Sequence, residues 1–239
     1  TVQGALEQAL AQVANHEARV TFCGRTDTGV HALNQVAHFD SDSHRSERSW
    51  ILGLNSHLPK AASVLWIREV DDDFHARFSA FARTYRYRIL NRWIRPALES
   101  RLMSWCRTPL DVEAMNQAAL TLLGEHDFTS FRATACQARH AVREIQAISV
   151  KREGDIVTLD VTANGFLYHM VRNIAGSLMH VGKGEAPVSW MKDTLEKMDR
   201  NAAAPTAQPE GLYFVGARYP SNYGLPGEAP AFPRGRGLS

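Results

Sequence analysis

The segment GFLYHMVRNIAGSLMHV, residues 165–181, places the tightest limit on what this chain can fold into. Phe166, Leu167, Met170, Val171, Ile174, Leu178 and Val181 recur at helical spacing and cover most of a helix circumference. A helix of that kind, here from Phe166 to Val181 and ended by Gly182, is stable only when a sheet or other helices cover it. Arg172 nevertheless stands in its middle, with Gly165, His169 and Gly176 along the same face. A guanidinium buried there requires a carboxylate or phosphate partner, because an unpaired buried charge costs several kcal/mol.

The flanking patterns supply the cover. Val142–Arg152 and Ile156–Ala163 read as strands around Glu153-Gly154-Asp155, a tight hairpin signal that makes their pairing antiparallel. Tyr85, Tyr87 and Ile89 alternate with Arg86, Arg88 and Leu90, a strand with one largely basic face. Further strands are expected at Arg19–Cys23, Gln35–Asp40, Ser63–Val70 and Gly211–Tyr219. Helices are expected at Val2–Val13, Ser46–Leu54 and Val188–Met198. Another is expected at Asp111–Leu123, with Asp111 as N-cap and Gly124 as stop. This alternation predicts an α+β architecture of two sheet-and-helix halves joined near residues 91–110. The halves are 1–100, which carries an Asp27 loop, and 101–220; an irregular, Pro/Gly-rich tail occupies 221–239.

A 239-residue chain with 44% apolar and 22% charged residues is neither disordered nor fibrous, and it can bury a large core. No apolar run approaches the ~18 residues of a membrane helix. TVQGALEQALAQV is not a basic-then-apolar leader, so the cytoplasm is the default location. Cys23, Cys106 and Cys136 are far apart and lack CxxC spacing, which argues against a disulfide scaffold or a zinc site.

Three stretches can carry chemistry. In GRTDTGVHA, residues 24–32, Asp27 lies in a loop between β-rich segments, with Gly24 and Gly29 allowing a close approach and Arg25 able to meet a phosphate. The same residues also suit a plain turn in which Asp27 and Thr28 bond local backbone groups. Arg172 is the second element: it meets either a structural carboxylate or Asp27, which it would then keep ionised and oriented. The third is residues 74–107, with eight arginines against the single Glu99. Phe74, Phe78, Phe81, Tyr85, Tyr87, Trp93 and Trp105 are interleaved with those arginines, a pattern that fits single-stranded or loop RNA as well as a solvated strand face. Asp71-Asp72-Asp73 reads as a solvated turn, and the ten histidines show no paired-ligand spacing. P-loop, dinucleotide and nucleophile-elbow motifs are all missing from the sequence, which leaves an Asp-centred, cofactor-free reaction on RNA or no reaction at all.

Four ordered segments carry a family resemblance. GRTDTGVHALNQVAHFD closely resembles the catalytic motif GRTDxGVHA of the tRNA pseudouridine synthase A family. FHARFSAFARTYRYRI, GFLYHMVRNIAGSLMHVGKG and APTAQPEGLYFVGARY resemble three later motifs of the same family, so that the likeness runs from residue 1 to about 220. The resemblance implies two RRM-like α/β halves that form one broad, largely antiparallel sheet with a central basic cleft, in a homodimer. It implies isomerisation of uridines 38, 39 and 40 of the tRNA anticodon stem-loop to pseudouridine, without metal or organic cofactor. Carried over by position, Asp27 is the nucleophile, Tyr85 stacks on the target base, Arg172 partners Asp27 and Leu212 lines the base pocket. Arg25 and the segment Phe74, His75, Ala76, Arg77 and Phe78 match tRNA-contacting positions, as does the loop Ala135, Cys136, Gln137, Ala138 and Arg139. The family pattern also places a first strand ahead of TVQGALE; without it, one sheet edge is expected to be open. A catalytically silent tRNA-binding protein and a metal-dependent phosphoesterase built on Asp27 and Asp71–Asp73 are the competing readings.

Overall fold

Helical and extended patterns alternate along the chain, and the computed structural model, which describes residues 1–226, turns them into a mixed α+β fold. In chain order the elements are α1 (Val2–Ala14), β1 (Thr21–Phe22), β2 (His31–Ala32), β3 (Ala37–His38), α2 (Glu47–His57), β4 (Ala82–Asn91) and β5 (Ser104–Cys106). They continue as α3 (Val112–Leu120), β6 (Gly124–Asp127), β7 (Val142–Glu153), β8 (Ile156–Ala163), α4 (Met170–Gly182), α5 (Trp190–Glu196) and β9 (Leu212–Arg218). Among the described residues no helix is long and apolar enough to cross a membrane. Contacts gather the chain into two units: Thr1–Arg25 with Gln35–Ala80 and the segment from Tyr219, and Thr26–Asn34 with Phe81–Arg218. This grouping differs from a break near residue 100, because β4 is hydrogen-bonded to β8 on one side and β9 on the other.

In the first unit, Leu10, Val13 and Ala14 of α1 pack with Trp50 and Leu54 of α2. Gly53 permits that approach, since a Cβ there would lie 3.0 Å from Val13. Both helices begin at hydroxyl caps: Thr1 Oγ1 accepts from the Gly4 amide and Ser46 Oγ from the Ser49 amide. β1 and β3 form a short antiparallel ladder. The strand expected at Ser63–Val70 does not form. The Asn55 side-chain amide instead occupies both backbone groups of Val64, at 2.8 Å each, and takes the place of a ladder partner.

The second unit is a seven-stranded sheet ordered β2-β9-β4-β8-β7-β6, with β5 also paired to β4. Its pairs are antiparallel except β2–β9 and β4–β5, so the sheet is mixed. The β7–β8 hairpin closes through Gly154, whose φ of 56° suits glycine. Asp111 caps α3 by accepting from the Ala114 amide at 3.0 Å. The helix stops at Leu120 rather than Leu123, as the Thr121 hydroxyl donates to the Ala118 carbonyl. The apolar helix is α4: Met170, Ile174 and Leu178 are fully buried with Tyr87 and Leu159 of the sheet. It starts at Met170 and not at Phe166, because His169 adopts a left-handed φ of 61° and the chain turns before it. β5 and β6 escape sequence reading because SWC and GEHD are too short or too polar to show a strand period. Of the expected irregular tail, Ser221–Tyr223 make one short turn, and 227–239 lie outside the described residues.

Gly176 decides how the connection to β9 meets α4. A Cβ on it would overlap the Pro205 backbone carbonyl, so that segment lies directly on the helix. Two outcomes are expected in urea unfolding. Asp111→Ala should lose about 1 kcal/mol of stability through the missing cap. Gly176→Ala should lose more, about 2–3 kcal/mol, because backbone has to move; a midpoint equal to wild type would contradict that packing.

Candidate active site

The Asp27 loop is fastened at both ends. The Asp27 carbonyl accepts from the Val30 amide at 3.1 Å, and Gly29, with φ of 87°, turns the chain beside Pro209. The loop then runs into β2, which lies parallel to β9 with His31 opposite Tyr213. The His31 ring stacks on Tyr213 at 4.7 Å, and the Leu33 amide donates to the Phe214 carbonyl. A carboxylate carried on a loop is thereby held by the sheet.

Arg172 reaches that carboxylate from the first turn of α4. Its Nη1 lies 3.2 Å from Asp27 Oδ2, with the Arg172 side chain 13% exposed and that of Asp27 29%. The guanidinium Nε donates to the Ala207 carbonyl at 2.9 Å, and the Arg172 carbonyl accepts from the Ala207 amide. The loop that lies on Gly176 thus fixes Arg172 as well. That loop is itself braced, since Arg200 donates to the Ala203 and Ala204 carbonyls, Asn173 Oδ1 and Thr206 Oγ1. One residue further on, the Gln208 carbonyl accepts from the Tyr87 hydroxyl at 2.7 Å. Burial pushes that phenol well above its usual range although the Arg172 charge pulls it down.

A second donor meets the same carboxylate oxygen. His169 Nε2 lies 3.0 Å from Asp27 Oδ2. Burial, then the Arg172 charge, push the imidazole pKa down, against the opposing pull of Asp27. At that distance a proton on Nε2 makes the contact attractive, whereas a lone pair there would face the carboxylate's own. The sequence alone places His169 on the Arg172 face and gives it no role at the site. Its spacing of three from Arg172 on one helical face is the signal that could have found it.

Tyr85 lies on the same side of β4 as Tyr87, two residues away, and packs against the main core. Its ring meets Phe166 edge-on at 4.9 Å and Phe214 at 5.2 Å. Leu212 is buried on β9 opposite Tyr87. Of the basic strand face, Arg86 is engaged inside the sheet, where its guanidinium grips Asp160 through two hydrogen bonds at 2.6 and 2.8 Å.

The remaining expected contacts are distributed over both units. Arg25 is exposed on the first unit. Within Phe74–Phe78, Phe74 and Ala76 are buried, Phe74 against Tyr219 and Tyr223, so their side chains serve packing. His75 is half-buried, and its Nδ1 accepts from the Arg77 and Phe78 amides, a turn that leaves Phe78 74% exposed with Arg77 above its ring. On the second unit, Ala135, Gln137 and Arg139 are exposed, whereas Cys136 and Ala138 are half-buried. Arg132 shapes that loop by donating to the Cys136 and Ala138 carbonyls. Asp71, Asp72 and Asp73 are exposed, and among the described residues no three His, Cys, Asp or Glu groups converge as metal ligands.

Comparison with known proteins matches the arrangement to one family. The sequence model of a family described as "tRNA pseudouridine synthase" matches residues 1–79 and 118–220. The "tRNA pseudouridine synthase A" of Xylella fastidiosa strain M23 is 54% identical over 228 residues, which cover 95% of this chain and 89% of that relative. A protein of the same name from Methylococcus capsulatus strain Bath is 52% identical over 229 residues, 96% of this chain and 84% of the relative. Another, from Xanthomonas euvesicatoria pv. vesicatoria, is 54% identical over 228 residues, again 95% of this chain and 89% of the relative. Sequence likeness over nearly the whole chain agrees with the four ordered motifs, and the chain belongs to the tRNA pseudouridine synthase family.

Proposed function

We propose that this chain isomerises uridines 38, 39 and 40 of the tRNA anticodon stem-loop to pseudouridine, with Asp27 as the nucleophile. The observation that carries the reading is the pairing of Arg172, in the wall of an apolar core, with the Asp27 carboxylate. A protein that only bound RNA would gain nothing from a carboxylate near phosphates, which it repels. Against a reacting uridine the same group is useful, because the guanidinium favours its ionised form.

The reaction breaks the C1′–N1 bond, turns the base and forms a C1′–C5 bond. The C5 hydrogen leaves as a proton and N1 gains one, so there is no net oxidation or hydrolysis. That balance asks for no metal or organic cofactor. An ionised Asp27 serves as an oxygen nucleophile or as a base toward a sugar proton, and both roles need an unprotonated oxygen. Tyr85, already edge-on to Phe166 and Phe214, offers its face to the detached base, and Leu212 closes the pocket. Reaching a uridine in a stem requires extruding it, which costs a few kcal/mol and is offset by phosphate contacts. Arg25, Arg77 and Arg139 are exposed and suited to phosphates, while Phe78 is suited to stacking. Phe74, His75 and Ala76 shape the first turn and Cys136 and Ala138 the second, while exposed Ala135 and Gln137 are placed to meet tRNA beside Arg139. The reading carries with it the family's RRM-like halves, basic cleft, homodimer and cytoplasmic setting.

Tritium release from [5-³H]uridine-labelled tRNA tests the proposal. Wild type should release tritium, and Asp27→Ala should lose at least about a thousandfold in rate while tRNA binding stays within a few-fold. Release by a folded Asp27→Ala protein at the wild-type rate would sink the nucleophile assignment. Arg172→Ala should lose activity about a hundredfold or more, and Arg172→Lys should restore it only in part, because an ammonium cannot hold Ala207 and Asp27 together. Tyr85→Leu should lower turnover by at least about tenfold with tRNA affinity nearly unchanged, measured by the same release assay and by filter binding.

A further inference from the structure

Arg172 Nη1 donates to Asp27 Oδ2 at 3.2 Å and His169 Nε2 lies 3.0 Å from the same oxygen, while Oδ1 accepts no hydrogen bond among the described residues. We infer that His169 is a positioning residue for Asp27: with Arg172 it pins Oδ2, and so presents Oδ1 as the oxygen that reacts. The inference rests on the reading of Asp27 as the reactive carboxylate.

The argument begins with the carboxylate's freedom. The terminal torsion of an aspartate is broad and roughly two-fold, so a single donor leaves the two oxygens free to exchange. A second donor, arriving from a different direction at the same oxygen, removes that freedom. Arg172 supplies the charge and is itself tied to Ala207. His169 closes on the same oxygen as a second contact, with its Nε2 3.0 Å from Oδ2.

The backbone at His169 is specialised for that aim. Its φ of 61° and ψ of 5° are left-handed, and the residue makes no side-chain cap bond to α4. Asn or Gly would be easier to accommodate there, because a Cβ crowds the backbone in this region. The His169 carbonyl starts α4 by accepting from the Asn173 amide, but its ring takes no part in the cap and is free to face Asp27. The ring packs at a tilt against Tyr168, at 3.9 Å between centroids and 30° between planes. Tyr168 is in turn tied to the neighbouring loop, where the Ala133 amide donates to its carbonyl and its own amide points at Cys136 Sγ. The ring therefore reaches Asp27 from a support separate from the one that holds Arg172.

The test compares wild type, Asp27→Ala, His169→Leu and His169→Gln in tritium release and tRNA filter binding. Leu and Gln bear the same left-handed strain, so the difference between them reads the hydrogen-bond donor alone. His169→Leu should lower kcat about 10–100-fold with KM for tRNA within threefold, and His169→Gln should return kcat to within about fivefold of wild type. Wild-type kcat in His169→Leu overturns the inference. Equal loss in folded Leu and Gln variants also overturns it, because the histidine would then act by proton transfer or by shape. Imidazole ¹⁵N shifts of the wild type supply a reading that needs no variant: an Nε2–H tautomer is expected, and an Nδ1–H tautomer overturns the assignment. If wild type releases no tritium while binding tRNA, the functional reading itself fails and this inference falls with it. Activity in wild type with none in Asp27→Ala keeps the two failures apart.

Discussion

A guanidinium in the wall of an apolar core cannot stand alone, and the arrangement around α4 answers that requirement. Arg172 meets the Asp27 carboxylate at 3.2 Å and the Ala207 carbonyl at 2.9 Å, so one side chain joins three segments that are far apart in the chain. Removing Asp27 would leave the Arg172 charge, only 13% exposed, without a counter-charge, which is the costly case for a buried ion. The pair is therefore a structural commitment as well as a chemical one. The same desolvation that makes an unpaired Arg172 intolerable strengthens its hold on an ionised Asp27.

Backbone close to α4 is what makes this pairing possible. Gly176 leaves the space that the Pro205 carbonyl occupies, and the chain from Ala203 to Gln208 is pinned by Arg200, Arg172 and Tyr87 in turn. It then enters β9, which lies between β4 with Tyr85 and β2 at the end of the Asp27 loop. Each group in the proposed reaction thus stands on regular structure or within a few residues of it. Rigid support of that kind is what pre-organised electrostatics requires, because dipoles that must reorient during the reaction lose much of their effect.

The surfaces suited to RNA follow a different logic. Phe78 and Arg77 are projected by a turn built on His75 Nδ1, while Phe74 and Ala76 within the same segment are buried. The loop 135–139 is organised from inside by Arg132. In both turns some residues make the shape and others meet the solvent, a division of labour that a motif string does not display. Arg86 makes the same point for β4, since its charge is spent on Asp160 across the sheet.

Much of this was legible from local pattern. The apolar period of 166–181, the Glu153-Gly154-Asp155 hairpin and the Asp111 cap all describe interactions within a few residues, so sequence spacing alone determined those elements. The demand for a partner to Arg172 was legible as well, because burial of a charge has only a few physical solutions. Tertiary structure decided the rest. The start of α4 moved to Met170 because His169 took a left-handed conformation, and the Ser63–Val70 strand was lost to the Asn55 side chain. The parallel pairing of His31 with Tyr213 joins residues 182 positions apart, and no local period encodes it. The sequence by itself therefore determined the elements with a strong local period or cap, the family the chain belongs to and the need for an anionic partner at Arg172. Only the folded chain decided that Arg172 and His169 share one oxygen of Asp27, because that depends on side-chain directions set by long-range packing.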